Sequence, residues 1–134
     1  MSDVHVHVRV GSEHYAVPVA HVLEVGDMGE LTIAPGSSRA ILGVRNLRGE
    51  LLPVFDLAAA LGLPRGAAPQ RMLVAERRGV RAGFAVDEVT DVDGLPEADQ
   101  ETGSDLLSSA VLIDGALVGV IDVDRLFDVL EAAA

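Results

Sequence analysis

Short apolar runs that alternate with polar residues dominate this chain, and they predict strands. Residues 4–10 alternate with a period of two, the pattern of a strand with one buried face. Further short runs lie at 14–17, 22–25, 42–47, 50–55, 72–76, 80–86, 89–92, 110–113 and 116–121. Turn residues separate them, and Asp114-Gly115 strongly favours a type I′ hairpin. This spacing predicts a mainly β protein built from small barrels.

Two short helices are predicted where an aspartate precedes helix-forming residues. Asp56 is followed by residues 57–61 and then by Gly62, so an N-cap and a C-terminal glycine bracket the first helix. Asp122 or Asp124 is expected to open the second helix, which continues through Leu130. The longer polar segments, 26–40, 64–70 and 93–109, are predicted to be loops or connectors.

The two halves of the chain repeat one plan. Residues 47–56 align on 113–122 without a gap, and residues 22–25 align on 89–92 with one residue of slippage. The shared glycine and aspartate positions favour duplication, with units of about 1–66 and 67–134 in a single domain, 1–134. Units this small bury little core alone, so we expect them to pack tightly or to exchange strands.

One position differs between the copies in a way that suggests function. The first copy has Arg48 where the second has Asp114, in otherwise similar hairpin turns. We interpret the shared positions as structural and Arg48 as functional. Its guanidinium can pair with an acidic group of a partner, or within the fold with Glu24 or Glu50.

Composition and charge exclude several classes of function. The 134 residues carry a net charge of −11, which disfavours nucleic acid and anionic membrane surfaces. Cysteine is absent, so disulfides, thiol nucleophiles and cysteine metal sites are excluded. No apolar run approaches the roughly 18 residues of a membrane span, and no secretory signal is recognisable. We therefore expect a cytoplasmic protein.

Few residues are candidates for a catalytic or metal-binding site, and the support for each is weak. Asp56 and Asp122 hold equivalent positions, like a duplicated carboxylate dyad, but helix N-capping explains both aspartates. There is no Gly-rich phosphate loop or Gly-x-Ser-x-Gly elbow, so neither catalysis nor a cofactor is expected.

His5, His7 and His14 could together hold a metal or a small ligand, and this is the alternative function. We favour the interpretation that these histidines lie on the solvated face of an apparent edge strand. The acidic segment 93–109 lacks the spacing of a calcium loop.

Residues 41–57, with Asn46-Leu47-Arg48-Gly49 and then Pro53-Val54-Phe55-Asp56-Leu57, resemble the signature of the CheW-like family. Residues 14–19, 22–25, 83–89 and 121–127 fit the same family in the same order. The resemblance therefore covers nearly the whole chain, and it is more specific than any single motif.

The resemblance implies a fold and a function. The fold would be two five-stranded SH3-like β-barrels packed together. The function would be that of a non-catalytic adaptor, which binds the helical hairpin at the cytoplasmic tip of chemoreceptors and the regulatory domain of a CheA-type histidine kinase. Flagellar chemotaxis, surface motility and other outputs all remain open.

Partner-binding residues carry over from the family position by position. They are Val22, Glu24, Asn46, Leu47, Arg48 and Gly49. By the period of two, Val22 and Glu24 are predicted to share one side of a strand. Other interpretations stay open: Val22 could belong to the core, Glu24 could be solvated, and Gly49 could serve turn geometry alone.

Overall fold

A mainly β architecture is confirmed by a computed structural model, which describes residues 4–33, 40–64, 68–95, 100–101 and 106–133. Its strands are β1 Val4–Val10, β2 Glu13–Pro18, β3 Val22–Asp27, β4 Ile41–Leu47, β5 Glu50–Asp56, β6 Arg71–Arg77, β7 Val80–Val86, β8 Glu88–Gly94, β9 Gln100–Glu101, β10 Leu107–Ile113 and β11 Ala116–Ile121. The helices are α1 Leu57–Ala60 and α2 Val123–Ala133, with a 3₁₀ turn at Val19–His21. None of the helices in these described ranges is long and apolar enough to cross a membrane.

The strands form two sheets, each containing strands from both halves of the chain. The first sheet has the order β8-β1-β2-β11-β10-β9, and the second has the order β3-β6-β7-β5-β4. Neighbouring strands are antiparallel except for β11 with β2 and β5 with β7, which are parallel. The β1–β2 hairpin, from the first half of the chain, thus joins strands of the second half in the first sheet. The β6–β7 hairpin, from the second half, joins strands of the first half in the second sheet.

The two sheets also share their irregularities. The bulge between Ile41 and Gly43 on β4 corresponds to the bulge between Leu107 and Ser109 on β10. A second bulge lies in β3, and its counterpart lies in β8. A bulge changes the face of the sheet towards which the following side chains point. Bulges at matching positions therefore place matching residues of the two halves on the equivalent face of each sheet.

The main core contains side chains from both sheets and both helices. Phe84 on β7 stacks on Phe55 of β5 at 5.9 Å between ring centroids, and it meets Phe127 of α2 edge-on at 5.6 Å. Each sheet has a smaller apolar cluster as well, centred on Val118 in the first sheet and on Leu52 in the second. Burial of these side chains is the dominant favourable term in folding.

Local signals in the sequence are confirmed at the helix and hairpin ends. Asp56 Oδ1 accepts a hydrogen bond from Ala58 N at 3.1 Å, and Asp122 Oδ1 accepts one from Arg125 N at 3.2 Å. Both aspartates are therefore N-caps. Asp114 and Gly115 have φ values of 49° and 82°, as a type I′ turn requires.

Two predictions about the strands are wrong. β1 is not an edge strand, because it lies between β2 and β8. Its second neighbour comes from the far half of the chain, which an alternating pattern does not reveal. Segment 93–109 is not wholly a loop, because β8 runs to Gly94 and β10 begins at Leu107.

Parts of the predicted loops fall beyond the described ranges. Glu97, Asp99 and Asp105 of the acidic segment lie outside the described residues, as do positions 34–39 and 65–67 of the other two predicted loops or connectors.

Candidate partner-binding site

The β4–β5 turn presents Arg48 to solvent. Arg48 and Gly49 both have positive φ, 51° and 84°, and form a type I′ turn. The side chain of Asn46 accepts a hydrogen bond from Gly49 N at 2.9 Å, which holds the turn. Asn46 and Gly49 thus stabilise the conformation of the turn, and the Arg48 side chain is 74% exposed.

Arg48 forms a two-pronged ion pair with Glu24 on β3. Its Nη1 lies 2.7 Å from Glu24 Oε2, and its Nη2 lies 3.2 Å from Glu24 Oε1. The predicted local salt bridge is therefore present, with Glu24 as the partner. These hydrogen bonds lower the pKa of the Glu24 carboxyl and raise the pKa of Arg48. Planar, bidentate pairing is the geometry in which arginine binds carboxylates best.

The ion pair joins the two ends of the second sheet. β3 and β4 are its outermost strands, and Glu24 and Arg48 connect β3 to the β4–β5 turn. A further guanidinium contact, from Arg45 Nη1 on β4 to the carbonyl oxygen of Asp27 at 2.6 Å, connects the same two strands. These polar contacts therefore link the two outermost strands of the sheet through side chains.

Stability should depend on pH through Glu24. A carboxyl whose folded-state pKa is lowered contributes stability above its unfolded pKa, and the contribution is lost as pH falls through the folded value. At neutral pH, the urea concentration at the midpoint of unfolding should therefore be higher for wild type than for Glu24→Gln. This difference should vanish in acid, at pH values below the ordinary pKa range of glutamate. The difference should be small because both side chains are partly exposed and solvent screens the pair. A difference that persists in acid would contradict this assignment.

A groove of about 230 Å³ opens beside this ion pair, and we name it the Arg48 groove. It is lined by Leu23, Glu24, Leu47, Arg48, Glu50, Leu52, Val74 and Arg81. Arg81 pairs with Glu76 at 2.8 Å and with Glu50 at 3.2 Å, so a second ion-pair network lies at the groove. Apolar walls next to exposed charges suit an apolar side chain that has a polar or acidic neighbour.

The structure separates the predicted site residues. Glu24, Leu47 and Arg48 line the groove, whereas Val22 packs against the main core. The prediction that Val22 and Glu24 share one side of β3 is wrong. Val22 pairs with Ala75 and Glu24 pairs with its neighbour Val74, because a bulge at Leu23 shifts the register. Adjacent residues on β6 face opposite sides, so Val22 and Glu24 do too.

Sequence reasoning missed five of the groove residues. They are Leu23, Glu50, Leu52, Val74 and Arg81. Val74 and Arg81 come from the second half of the chain and reach the groove because β6 and β7 complete the second sheet. The groove is accordingly lined by residues of the second sheet alone.

The three candidate histidines, His5, His7 and His14, lie on β1 and β2 of the first sheet. His7 and His14 line a second cavity of about 200 Å³, which we name the His7 groove, together with Val8, Tyr15, Thr90, Ile113, Ala116 and Val118. Within the described parts of the chain, no group of three His, Cys, Asp or Glu side chains is arranged to hold a metal ion. The metal alternative therefore gains no support from the geometry.

Comparison with known proteins gives a consistent match. The family model of the CheW-like domain matches residues 5–131. The probable chemotaxis protein CheW of Rhizobium etli is 32% identical, covering 94% of this chain and 88% of its own length. The chemotaxis protein CheW of Bacillus subtilis is 30% identical, covering 89% and 83%. The crystal structure of the scaffolding protein TtCheW from Thermoanaerobacter tengcongensis superimposes with a TM-score of 0.84 at 25% identity, covering 95% of this chain and 88% of that one.

Proposed function

Because the chain belongs to the CheW-like family, we propose that it is a non-catalytic adaptor coupling chemoreceptor tips to a CheA-type histidine kinase. Two of the relatives compared above are named as chemotaxis proteins, and the matching solved structure is named as a scaffolding protein. The observation that carries the proposal is the exposed, preorganised guanidinium of Arg48 beside a groove with apolar walls. These partners would place the protein in the cytoplasm.

The geometry supports binding of a helix to the Arg48 groove. An amphipathic helix binds a groove through apolar side chains spaced one turn apart. Leu47, Leu52 and Val74 offer the apolar surface, and the guanidinium of Arg48 has five N–H donors, of which Glu24 occupies two. A carboxylate or carbonyl of the receptor hairpin can therefore bind Arg48 without displacing Glu24.

The predicted site residues take different roles in this proposal. Glu24, Leu47 and Arg48 contact the partner, while Asn46 and Gly49 hold the turn that presents Arg48. Val22 supports β3 from the core side. We also propose that residues 1–134 form one domain of two related units, about 1–66 and 67–134, as the corresponding bulges support.

Arg48→Glu should weaken binding of a receptor hairpin fragment by about tenfold or more, because a charge-assisted contact becomes a repulsion. Isothermal titration against the receptor fragment and the kinase regulatory domain measures this. Arg78→Glu is the matched control, since Arg78 holds the same turn position with the same φ of 51° but does not line the groove. Equal losses in both variants would indicate general charge repulsion rather than a specific site.

A charge swap separates partner binding from the internal ion pair. The double variant Arg48→Glu with Glu24→Arg restores an ion pair between the turn and β3 but moves the cation off the turn. We expect binding to stay weak in the double variant. Recovery of wild-type affinity would show that Arg48 acts only by bracing the sheet. Unchanged affinity for both partners in Arg48→Glu would defeat the proposal outright.

A further inference from the structure

The two sheets end in four outermost strands, β8 and β9 in the first and β3 and β4 in the second. An outermost strand carries backbone N–H and C=O groups without a neighbouring strand, so it can pair with another chain. Thr32 covers part of β4 through an isolated bridge with Val44, and β9 has only two residues. By contrast, β8 has seven residues and, within the described parts of the chain, pairs only with β1. The outer side of β8 is therefore a full-length sheet edge.

Hydrogen bonds of β1 show which way the backbone groups of β8 point. The carbonyl oxygen of Arg9 accepts a hydrogen bond from Asp87 N at 3.1 Å, so Arg9 directs its backbone groups to the β8 side. Backbone groups alternate between the two sides of a strand, so those of His7 and His5 point the same way. The carbonyl of His7 accordingly accepts a hydrogen bond from the Thr90 hydroxyl at 3.3 Å.

The amides of Val92 and Gly94 face the outer side of β8. Asp91 and Asp93 lie opposite His7 and His5, so their own backbone groups point to β1 and those of Val92 and Gly94 point away from it. Val92 N donates to Asp91 Oδ1 at 2.8 Å, and Gly94 N donates to Asp93 Oδ1 at 2.7 Å. Each outward amide therefore already has the carboxylate of the preceding residue as its acceptor.

Without these carboxylates, β8 would be well suited to pair with a second copy of itself. Residues 89–92 are Val-Thr-Asp-Val, three of them β-branched, and the Val92 side chain is 56% exposed. Antiparallel pairing centred on Val92 would place Asp91 of one copy opposite Asp93 of the other. Like charges directly opposite each other destabilise a sheet. The two carboxylates thus oppose such pairing both by occupying the amides and by repulsion.

We propose that Asp91 and Asp93 prevent edge-to-edge association of this chain by occupying the Val92 and Gly94 amides that a second copy would need. An incoming strand must displace both carboxylates before its carbonyl oxygens can accept these hydrogen bonds. Displacement is costly, because hydrogen bonds to ionised acceptors are stronger than those to neutral ones. The proposal concerns the first sheet alone and does not depend on partner binding at the Arg48 groove.

Amide hydrogen exchange, measured by NMR as protection relative to the unstructured chain, tests each contact separately. Asp91→Ala should lower the protection of the Val92 amide about threefold or more and leave that of Gly94 unchanged. Asp93→Ala should do the reverse. Asp91→Asn keeps an acceptor oxygen and should retain most of the protection at Val92.

The double variant Asp91→Ala with Asp93→Ala should associate through β8. Exchange at Val92 and Gly94 should be fast in dilute solution and should slow as the protein concentration rises, whereas wild type should show no such dependence. Sedimentation velocity should detect the corresponding dimer. Asp91→Asn with Asp93→Asn keeps both acceptors and should associate far less than the double alanine variant.

Glu13→Ala with Glu30→Ala is the charge control, because it removes two negative charges from exposed positions outside β8. It should behave like wild type. Four results would overturn the proposal: unchanged protection in the single alanine variants, a double alanine variant that stays monomeric, association without slower exchange at Val92 and Gly94, and equal association in the charge control. Equal association of the double asparagine and double alanine variants would also overturn it, since charge rather than hydrogen bonding would then protect the edge.

Discussion

Replacing Phe84 with alanine should lower the free energy of unfolding by about 3–5 kcal/mol. Phe84 is 2% exposed and lies in β7, in the middle of the second sheet. Its ring touches Phe55 of the same sheet and Phe127 of α2, so it links the sheet to the C-terminal helix. Alanine would remove both aromatic contacts and leave a cavity that a β-strand cannot collapse to fill. Urea unfolding followed by circular dichroism measures the change.

Two other variants calibrate this result. Phe84→Leu keeps most of the volume and should cost less than half as much. Val80→Ala, at an exposed position of the same strand, should change stability by no more than about 0.5 kcal/mol. If Phe84→Ala cost no more than Val80→Ala, the aromatic contacts would not be the centre of the core.

Gly43→Ala should destabilise the fold by about 1–3 kcal/mol, through backbone crowding rather than lost contacts. A Cβ at Gly43 would lie 2.7 Å from the carbonyl oxygen of Thr32. That oxygen accepts a hydrogen bond from Val44 N at 2.8 Å, and Thr32 N donates to Val44 O at 2.9 Å. The segment cannot move away without losing these hydrogen bonds, so a methyl group is costly here. The midpoint of thermal unfolding measures the effect.

Gly26→Ala is the matched control for this prediction. Gly26 also lies in an outer strand of the second sheet, but a Cβ there would meet no atom within 4 Å. It should be neutral or slightly stabilising, because alanine restricts the unfolded chain more than glycine does. If the two variants behaved alike, the Thr32 segment would be free to shift, and the close approach at Gly43 would not constrain the fold.

The local features of this fold could be predicted from the sequence. Asp-Gly in a turn and aspartate before a short helix act through neighbouring backbone groups, so the signal and the structure lie within a few residues of each other. The hairpin at Asp114 and the caps at Asp56 and Asp122 were predictable for that reason. Duplication could also be proposed, because corresponding positions keep their glycines and aspartates.

The non-local features could not be predicted. β1 pairs with β8, and nothing in the alternation of either strand identifies the other as its neighbour. The bulge at Leu23 is set by its pairing with β6, and it alone decides that Glu24 faces the groove while Val22 faces the core. Arg81 lines the Arg48 groove only because β7 lies parallel to β5. The candidate site was therefore predictable at its turn, where the residues are local, but not across the sheet.

The exchange of hairpins between the sheets has a consequence for synthesis on the ribosome. β1 and β2 are made before the strands that they pair with across the chain, because β8 and β11 both belong to the second half of the sequence. The first sheet cannot be completed until β11 has been made, whereas the second sheet can form once β7 has been made. Because contacts between distant segments form slowly, the nascent β1–β2 hairpin stays exposed the longest. We expect this hairpin to be the part of the chain that most needs chaperone protection.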